Sequence, residues 1–171
     1  MVIPFPFPKV RAVQDKLMEA VADALASRKN LVVHAPTGLG KTIAVLAPAL
    51  GYAHGRSLTI FFLTSRHTQH KIAIETLREI NRKFSFNIIS VSVIGKRWMC
   101  LQPDIGSFMP SDFAEYCKIL KENDNCEFFT NLKRGNKPSH ELALVLSVLE
   151  KQGVIDAETL VNECSRQKLC P

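Results

Sequence analysis

The sequence predicts an α/β fold: a parallel sheet flanked by helices, carrying a small helical, cysteine-bearing insertion. Three observations point there. Up to Ile94, short apolar runs alternate with segments of helical periodicity, the pattern of strands joined by crossover helices. A glycine-bearing turn, Ala35 to Thr42, connects one apolar run to the helix that follows it. All five cysteines lie between Cys100 and Cys170, where the alternation stops.

Taken in order, Val13, Leu17, Val21, Ala24 and Leu25 recur at helical spacing, so Arg11 to Ser27 reads as an amphipathic helix. Leu31 to His34 fits a buried strand. A second helix follows the turn to about Leu50, with Pro48 kinking or ending it. Leu58 to Leu63 is the next expected strand. His67 to Arg82 is a polar-faced helix with Ile72, Leu77 and Ile80 inward, and Asn87 to Ile94 alternates enough for a third strand. Beyond Gly95 no convincing strand stands out. Ser111 to Leu120, Ser139 to Lys151 and Ala157 to Arg166 read as helices joined by polar loops, which puts the boundary near residue 96.

The 171 residues suit one domain with an appendage, and 46% hydrophobic with 22% charged residues is globular usage. The longest apolar run, Leu142 to Leu149, is broken by Ser147 and falls far short of the roughly 18 residues of a membrane span. The proline-rich start has no basic region of the kind a signal peptide carries. No membrane association is expected, and a cytoplasmic location is, or a nuclear one in a eukaryote. The net charge of +6 is unevenly placed: residues 56–97 hold eight Lys/Arg against two Asp/Glu, and residues 98–171 hold eight against eleven. A basic segment of that kind suits a polyanion such as nucleic acid; a solvated helix face would carry the same charge.

Ala35-Pro-Thr-Gly-Leu-Gly-Lys41-Thr42 matches the phosphate-loop pattern, with Ala35 in place of the first glycine. Gly38 and Gly40 let the backbone curl so that successive N–H groups aim at phosphate oxygens, and the following helix adds its positive end. Lys41 is the expected partner of the β- and γ-phosphates, and Thr42 of Mg²⁺. Pro36, Thr37 and Leu39 complete the cradle. Hydrolysis also needs an acidic Mg²⁺ ligand at the end of a later strand. The one candidate, Asp156, follows only two apolar residues and is better read as the N-cap of the next helix.

Cys100, Cys117, Cys126, Cys164 and Cys170 are separated by 16, 8, 37 and 5 residues. Structural zinc sites show close cysteine pairs, and there are none here. Four thiolates from distant loops can converge on an iron–sulfur cluster, but spacing alone favours isolated buried thiols.

Several segments together resemble the N-terminal part of an XPD-type superfamily 2 iron–sulfur DNA helicase, archaeal-like, over nearly the whole chain. Phe5-Pro-Phe-Pro-Lys-Val-Arg11-Ala-Val-Gln14 is similar to its opening segment, which places Gln14 on the adenine side. His34 to Thr42 resembles its motif I, alanine included. Leu63-Thr-Ser-Arg66-His-Thr68 resembles motif Ia, which touches DNA, and Gly95-Lys-Arg-Trp-Met-Cys100 resembles the lead into its cluster domain. The family's four ligands then fall on Cys100, Cys117, Cys126 and Cys170, leaving Cys164 as a spare thiol.

The resemblance implies a P-loop NTPase core of RecA-like fold. Residues 1–95 would be part of the first motor domain and 96–171 the cluster domain. Its cofactors would be ATP, Mg²⁺ and a 4Fe–4S cluster. Lys41 and Thr42 would be the catalytic pair, and Thr64, Ser65, Arg66, Lys96 and Arg97 would meet single-stranded or forked DNA. ATP-driven 5′-to-3′ unwinding in DNA repair is implied for an intact protein; no protein partner is indicated. The sequence stops before the family's DEAH-type motif and second motor domain, so the chain alone is expected to be inactive, whether truncated or encoded by a short frame. Two other readings stand beside this one: a non-catalytic single-stranded nucleic-acid-binding fragment, and an unrelated P-loop NTPase with a zinc-bearing lid.

Overall fold

A computed structural model describes residues 2–171, which form two compact units, one ending at Ile88 and one running from Ile89 to Pro171. The first is built on three helices: α1 (Gln14–Ala26), α2 (Lys41–Ala53) and α3 (His67–Phe84). Leu17, Met18 and Val21 of α1 pack on Ala44 of α2, with Ile3, Phe5, Leu25, Leu39 and Val45 closing the cluster. Helix α1 starts three residues later than its periodicity suggests. Val13 is left-handed, at φ 68°, which a β-branched residue rarely adopts, and its side chain faces solvent. Helix α2 continues past Pro48 to Ala53. Pro48 cannot donate to the Ala44 carbonyl, but its ring is fully buried, and that packing holds the last turn in place.

The buried stripe of α3 is Ala73, Ile74, Thr76 and Ile80, with Leu77 half-buried. Ile72, expected inward, is exposed, because the stripe Ala73–Thr76–Leu77–Ile80 is rotated one position from it. Asn81 ends this unit by accepting the Ile88 N–H on its Oδ1 at 3.0 Å. The proline-rich N-terminus lies against α2: Pro4 is fully buried, and the Val2 carbonyl sits where a side chain on Gly51 would have to go.

The α/β class holds, but the expected sheet does not form at full length. Residues 31–34 and 58–63 are irregular, and Val32, Phe61 and Leu63 are 96%, 82% and 87% exposed. A parallel strand exists only through its neighbours, and among the described residues neither segment has a ladder partner. Of the third expected strand, only β1 (Ser90–Val91) forms.

In the second unit, β1 is followed by α4 (Lys96–Met99), a 3₁₀ turn at Ile105–Ser107, α5 (Pro110–Glu122) and α6 (Glu127–Thr130). Then come β2 (Lys133–Arg134), β3 (Lys137–Pro138), α7 (His140–Gln152), β4 (Val154–Ile155) and α8 (Ala157–Arg166). The strands contradict the helix-only expectation for this region. Pieces of two residues are too short to show a period in sequence. β4 pairs in parallel with β1, Ser90 opposite Val154 and Val91 opposite Ile155. β2 and β3 form an antiparallel hairpin whose loop starts with Gly135 at φ 63°, a conformation that favours glycine. Ser139 caps α7 by accepting the Leu142 N–H at 3.1 Å, and Asp156 caps α8 by accepting the Thr159 N–H at 2.8 Å, the role the sequence assigned it. Val145, Cys164 and Leu169 form the core of this unit, covered by Leu132, Leu142, Leu149 and Leu160. Among the described residues no helix is long and apolar enough to cross a membrane.

Candidate nucleotide loop and thiol cavity

The phosphate loop leads directly into α2. Gly38 and Gly40 take φ of 84° and 81°, a region that costs any other residue strain. A Cβ on Gly40 would also lie 2.6 Å from the Gln14 amide nitrogen. The first intrahelical bond runs from Ala44 N–H to the Gly40 carbonyl at 3.2 Å. The N–H groups of Lys41, Thr42 and Ile43 therefore precede the helical ladder, the arrangement in which a helix N-terminus can receive an anion. Lys41 Nζ donates to the carbonyls of Ala35 at 3.2 Å and Pro36 at 2.9 Å, so the ammonium folds back over its own loop.

Gln14 is 2% exposed, and both ends of its amide are used. Nε2 donates to the Gly40 carbonyl at 3.2 Å, and Oε1 accepts the Arg11 N–H at 3.0 Å. The Arg11 guanidinium donates to the Gly38 carbonyl. Both residues thus clamp the loop backbone. Arg11 went unassigned in the sequence, although a basic residue one turn before Gln14 was its visible signal.

Thr64, Ser65 and Arg66 sit in the first unit on the approach to α3. The Thr64 hydroxyl bonds Gln69 and accepts the Arg66 N–H at 3.3 Å, which fixes the bend that exposes Ser65 and Arg66. Lys96 and Arg97 belong to the second unit, on α4. Lys96 is exposed, while the Arg97 guanidinium donates to the Phe108 carbonyl and lies 4.8 Å from the Trp98 ring centroid.

Four of the five thiols surround one cavity of ≈ 30 Å³. Cys100 follows α4, Cys117 is on α5, Cys126 precedes α6, and Cys170 lies in the final segment. That segment is tied to α6 by the Cys170 N–H to the Phe128 carbonyl at 2.9 Å, by Asn131 to the Lys168 carbonyl at 3.1 Å and by Lys168 to Glu127 at 2.9 Å. Gln102 Nε2 lies 3.5 Å from the Cys126 sulfur. Burial pushes the Cys100 and Cys170 thiols up, and the neighbouring thiols push them further. Cys164 does not line the cavity. It is 4% exposed in the Val145–Leu169 core, and burial, then Cys170, pushes its pKa up to about 11. All five are free cysteines, and among the described residues no His, Cys, Asp or Glu group is gathered to hold a metal ion.

The DEAD_2 family matches residues 62–171, well over half of the chain. The chain is 38% identical to a probable ATP-dependent helicase of Methanocaldococcus jannaschii over 48% of its own length and 13% of that protein. It is 32% identical to the 3'-5' exonuclease DinG of Bacillus subtilis over 52% of its length and 10% of that protein. A regulator of telomere elongation helicase 1 homolog of Drosophila erecta is 22% identical over 97% of the chain and 20% of that protein. The chain thus spans a fifth or less of the length of these relatives. No solved structure matches it.

Proposed function

The chain belongs to the DEAD_2 family, and on that premise we propose that it is the nucleotide-binding and iron–sulfur portion of an ATP-dependent DNA helicase of the XPD type. The whole enzyme would couple ATP hydrolysis to 5′-to-3′ unwinding of single-stranded or forked DNA in repair, in the cytoplasm or, in a eukaryote, the nucleus. The observation that carries the reading is the sorting of thiols: Cys100, Cys117, Cys126 and Cys170 around one cavity, Cys164 in a separate core, in a chain that also has a phosphate loop.

On this reading residues 1–95 belong to a RecA-like motor domain. The N–H groups at the start of α2 receive the phosphates, and Lys41 exchanges the Ala35 and Pro36 carbonyls for β- and γ-phosphate oxygens. Thr42 gives its hydroxyl to Mg²⁺. Gln14 holds Gly40 while its turn of α1 faces the adenine. Thr64, Ser65, Arg66, Lys96 and Arg97 take the DNA strand.

Four thiols in a largely apolar setting are the donor set of a 4Fe–4S cluster. The void is small, so holding a cluster would require the segments bearing Cys100, Cys126 and Cys170 to stand further apart. Bound there, a cluster would cross-link four elements of a unit with little core of its own. Turnover by the chain alone is not expected, because the Asp156 carboxylate caps α8. The same observation favours a second reading, a single-stranded nucleic-acid-binding fragment without catalysis.

Metal analysis of anaerobically prepared protein tests the proposal. About four irons and four labile sulfides per chain are expected. Serine at Cys100, Cys117, Cys126 or Cys170 should remove them, and Cys164→Ser should not. Stoichiometric zinc without sulfide would overturn the cluster. Iron that survives Cys170→Ser but is lost in Cys164→Ser would overturn the ligand set.

A further inference from the structure

A groove of ≈ 410 Å³ opens between α4 and α5, lined by Lys96, Arg97, Trp98, Phe113, Lys118 and Lys121 among others. Resting on the reading of the chain as a DNA-tracking helicase portion, we propose that this groove is a subsite for single-stranded DNA in which one base stacks on Trp98 and the flanking phosphates meet Lys96, Lys118 and Lys121.

The composition of the groove makes the case. Its lining holds four cations and no carboxylate, a composition that suits an anionic ligand. Its volume lies within the roughly 300–1,000 Å³ of small-ligand sites, room for a nucleotide unit. Trp98 is 64% exposed although its neighbour Met99 is buried; α4 anchors through the methionine and presents the indole to the groove. An exposed aromatic ring among lysines is what single-strand binders use, since every base has a face to stack and every nucleotide a phosphate to neutralise.

The cations divide into two roles. Arg97 donates to the Phe108 carbonyl and lies against the indole, so besides meeting the strand it orients Trp98. Lys118 pairs with Glu122 at 3.8 Å, and both side chains are well exposed, so that pair is easily exchanged for a phosphate. Lys121 lies one helical turn along the same face of α5, its ammonium 5.3 Å from the Phe129 ring centroid. The α5 lysines lie outside the basic segment 56–97 and on the net acidic part of the sequence, which is why charge counting passed over them.

Trp98 is the chain's single tryptophan, so its emission reports this groove alone. The full chain is titrated with 5′-labelled oligo-dT, following label anisotropy and Trp98 emission together. Emission should be quenched in step with the anisotropy rise, and an abasic strand of equal charge should raise anisotropy without quenching. Trp98→Ala should weaken binding roughly 5- to 100-fold, the loss of one stacked base, and Trp98→Phe should recover most of it. Lys118→Ala with Lys121→Ala should flatten the log–log salt slope by about 1.4. Oligo-dT binding with no quench and no effect of Trp98→Ala would overturn the subsite and leave the helicase reading intact. No single-strand binding even at low salt would overturn both, and stronger quenching by oligo-rU would overturn the assignment to DNA.

Discussion

The side-chain amide of Gln14 donates to the Gly40 carbonyl at 3.2 Å and accepts the Arg11 N–H at 3.0 Å, so the first residue of α1 is bonded to the last glycine of the phosphate loop. The loop is otherwise shaped by two left-handed glycines and held by Arg11 on the Gly38 carbonyl and Lys41 on the Ala35 and Pro36 carbonyls. Gln14→Ala removes two part-buried hydrogen bonds, one to the Gly40 carbonyl, which keeps only the Ala44 N–H, and one from the Arg11 N–H. A loss of ~1–3 kcal/mol in stability is expected, read from the urea midpoint, together with weaker Mg-ATP binding. An unchanged midpoint would show that water replaces the amide.

Lys41→Ala should abolish Mg-ATP binding while leaving thermal stability nearly unchanged, since the ammonium is exposed and its bonds to Ala35 and Pro36 are within its own loop. Wild-type chain should bind Mg-ATP weakly and turn none over in a steady-state assay. Measured hydrolysis would mean that a catalytic carboxylate is present, with Asp156 and Glu158 the first to substitute.

Gly51→Ala is a test of the N-terminal strap. The new methyl collides with the Val2 carbonyl, which is backbone and cannot rotate away. The strap must lift, exposing part of Pro4, at a cost of about 1–3 kcal/mol. Differential scanning calorimetry should show the lowered transition, and a melting temperature equal to that of the wild type would mean the strap contributes nothing.

In cluster-free protein Cys164 should be the last thiol alkylated by iodoacetamide, because the thiolate is the nucleophile and its pKa is pushed up to about 11 in a buried site. The proton is held below that pH, so reactivity rises with pH through the window from 9 to about 11, roughly tenfold per unit. Peptide mapping by mass spectrometry after timed labelling reads this directly. Labelling at pH 8 as fast as in urea would contradict the buried placement.

Arg66→Ala combined with Lys96→Ala should weaken single-stranded DNA binding and flatten its salt slope by about one to two units, since both residues are expected to contact phosphate. Equal weakening across oligo-dT, oligo-dC and oligo-dA is the companion expectation. A slope that does not move would remove both from the DNA path.

The sequence by itself determined the helices. The bonds of α1, α2, α3, α5, α7 and α8 are local, so apolar spacing and cap residues such as Asp156 locate them without reference to anything distant. It determined the phosphate loop for the same reason, because glycines, lysine and the following helix lie within a few residues of one another. Strands were another matter. Residues 31–34 and 58–63 have the right composition, but pairing is decided by neighbours far along the chain, and the observed parallel pair joins Ser90–Val91 to Val154–Ile155 across more than sixty residues. The thiols followed the same logic. Cys100, Cys117, Cys126 and Cys170 come from four separate elements, and spacing alone could not distinguish Cys164, six positions before Cys170, from its neighbour. Packing sets the two apart in space: α8 turns Cys164 toward Val145 and Leu169, and the Cys170 N–H bonds the Phe128 carbonyl beside the cavity.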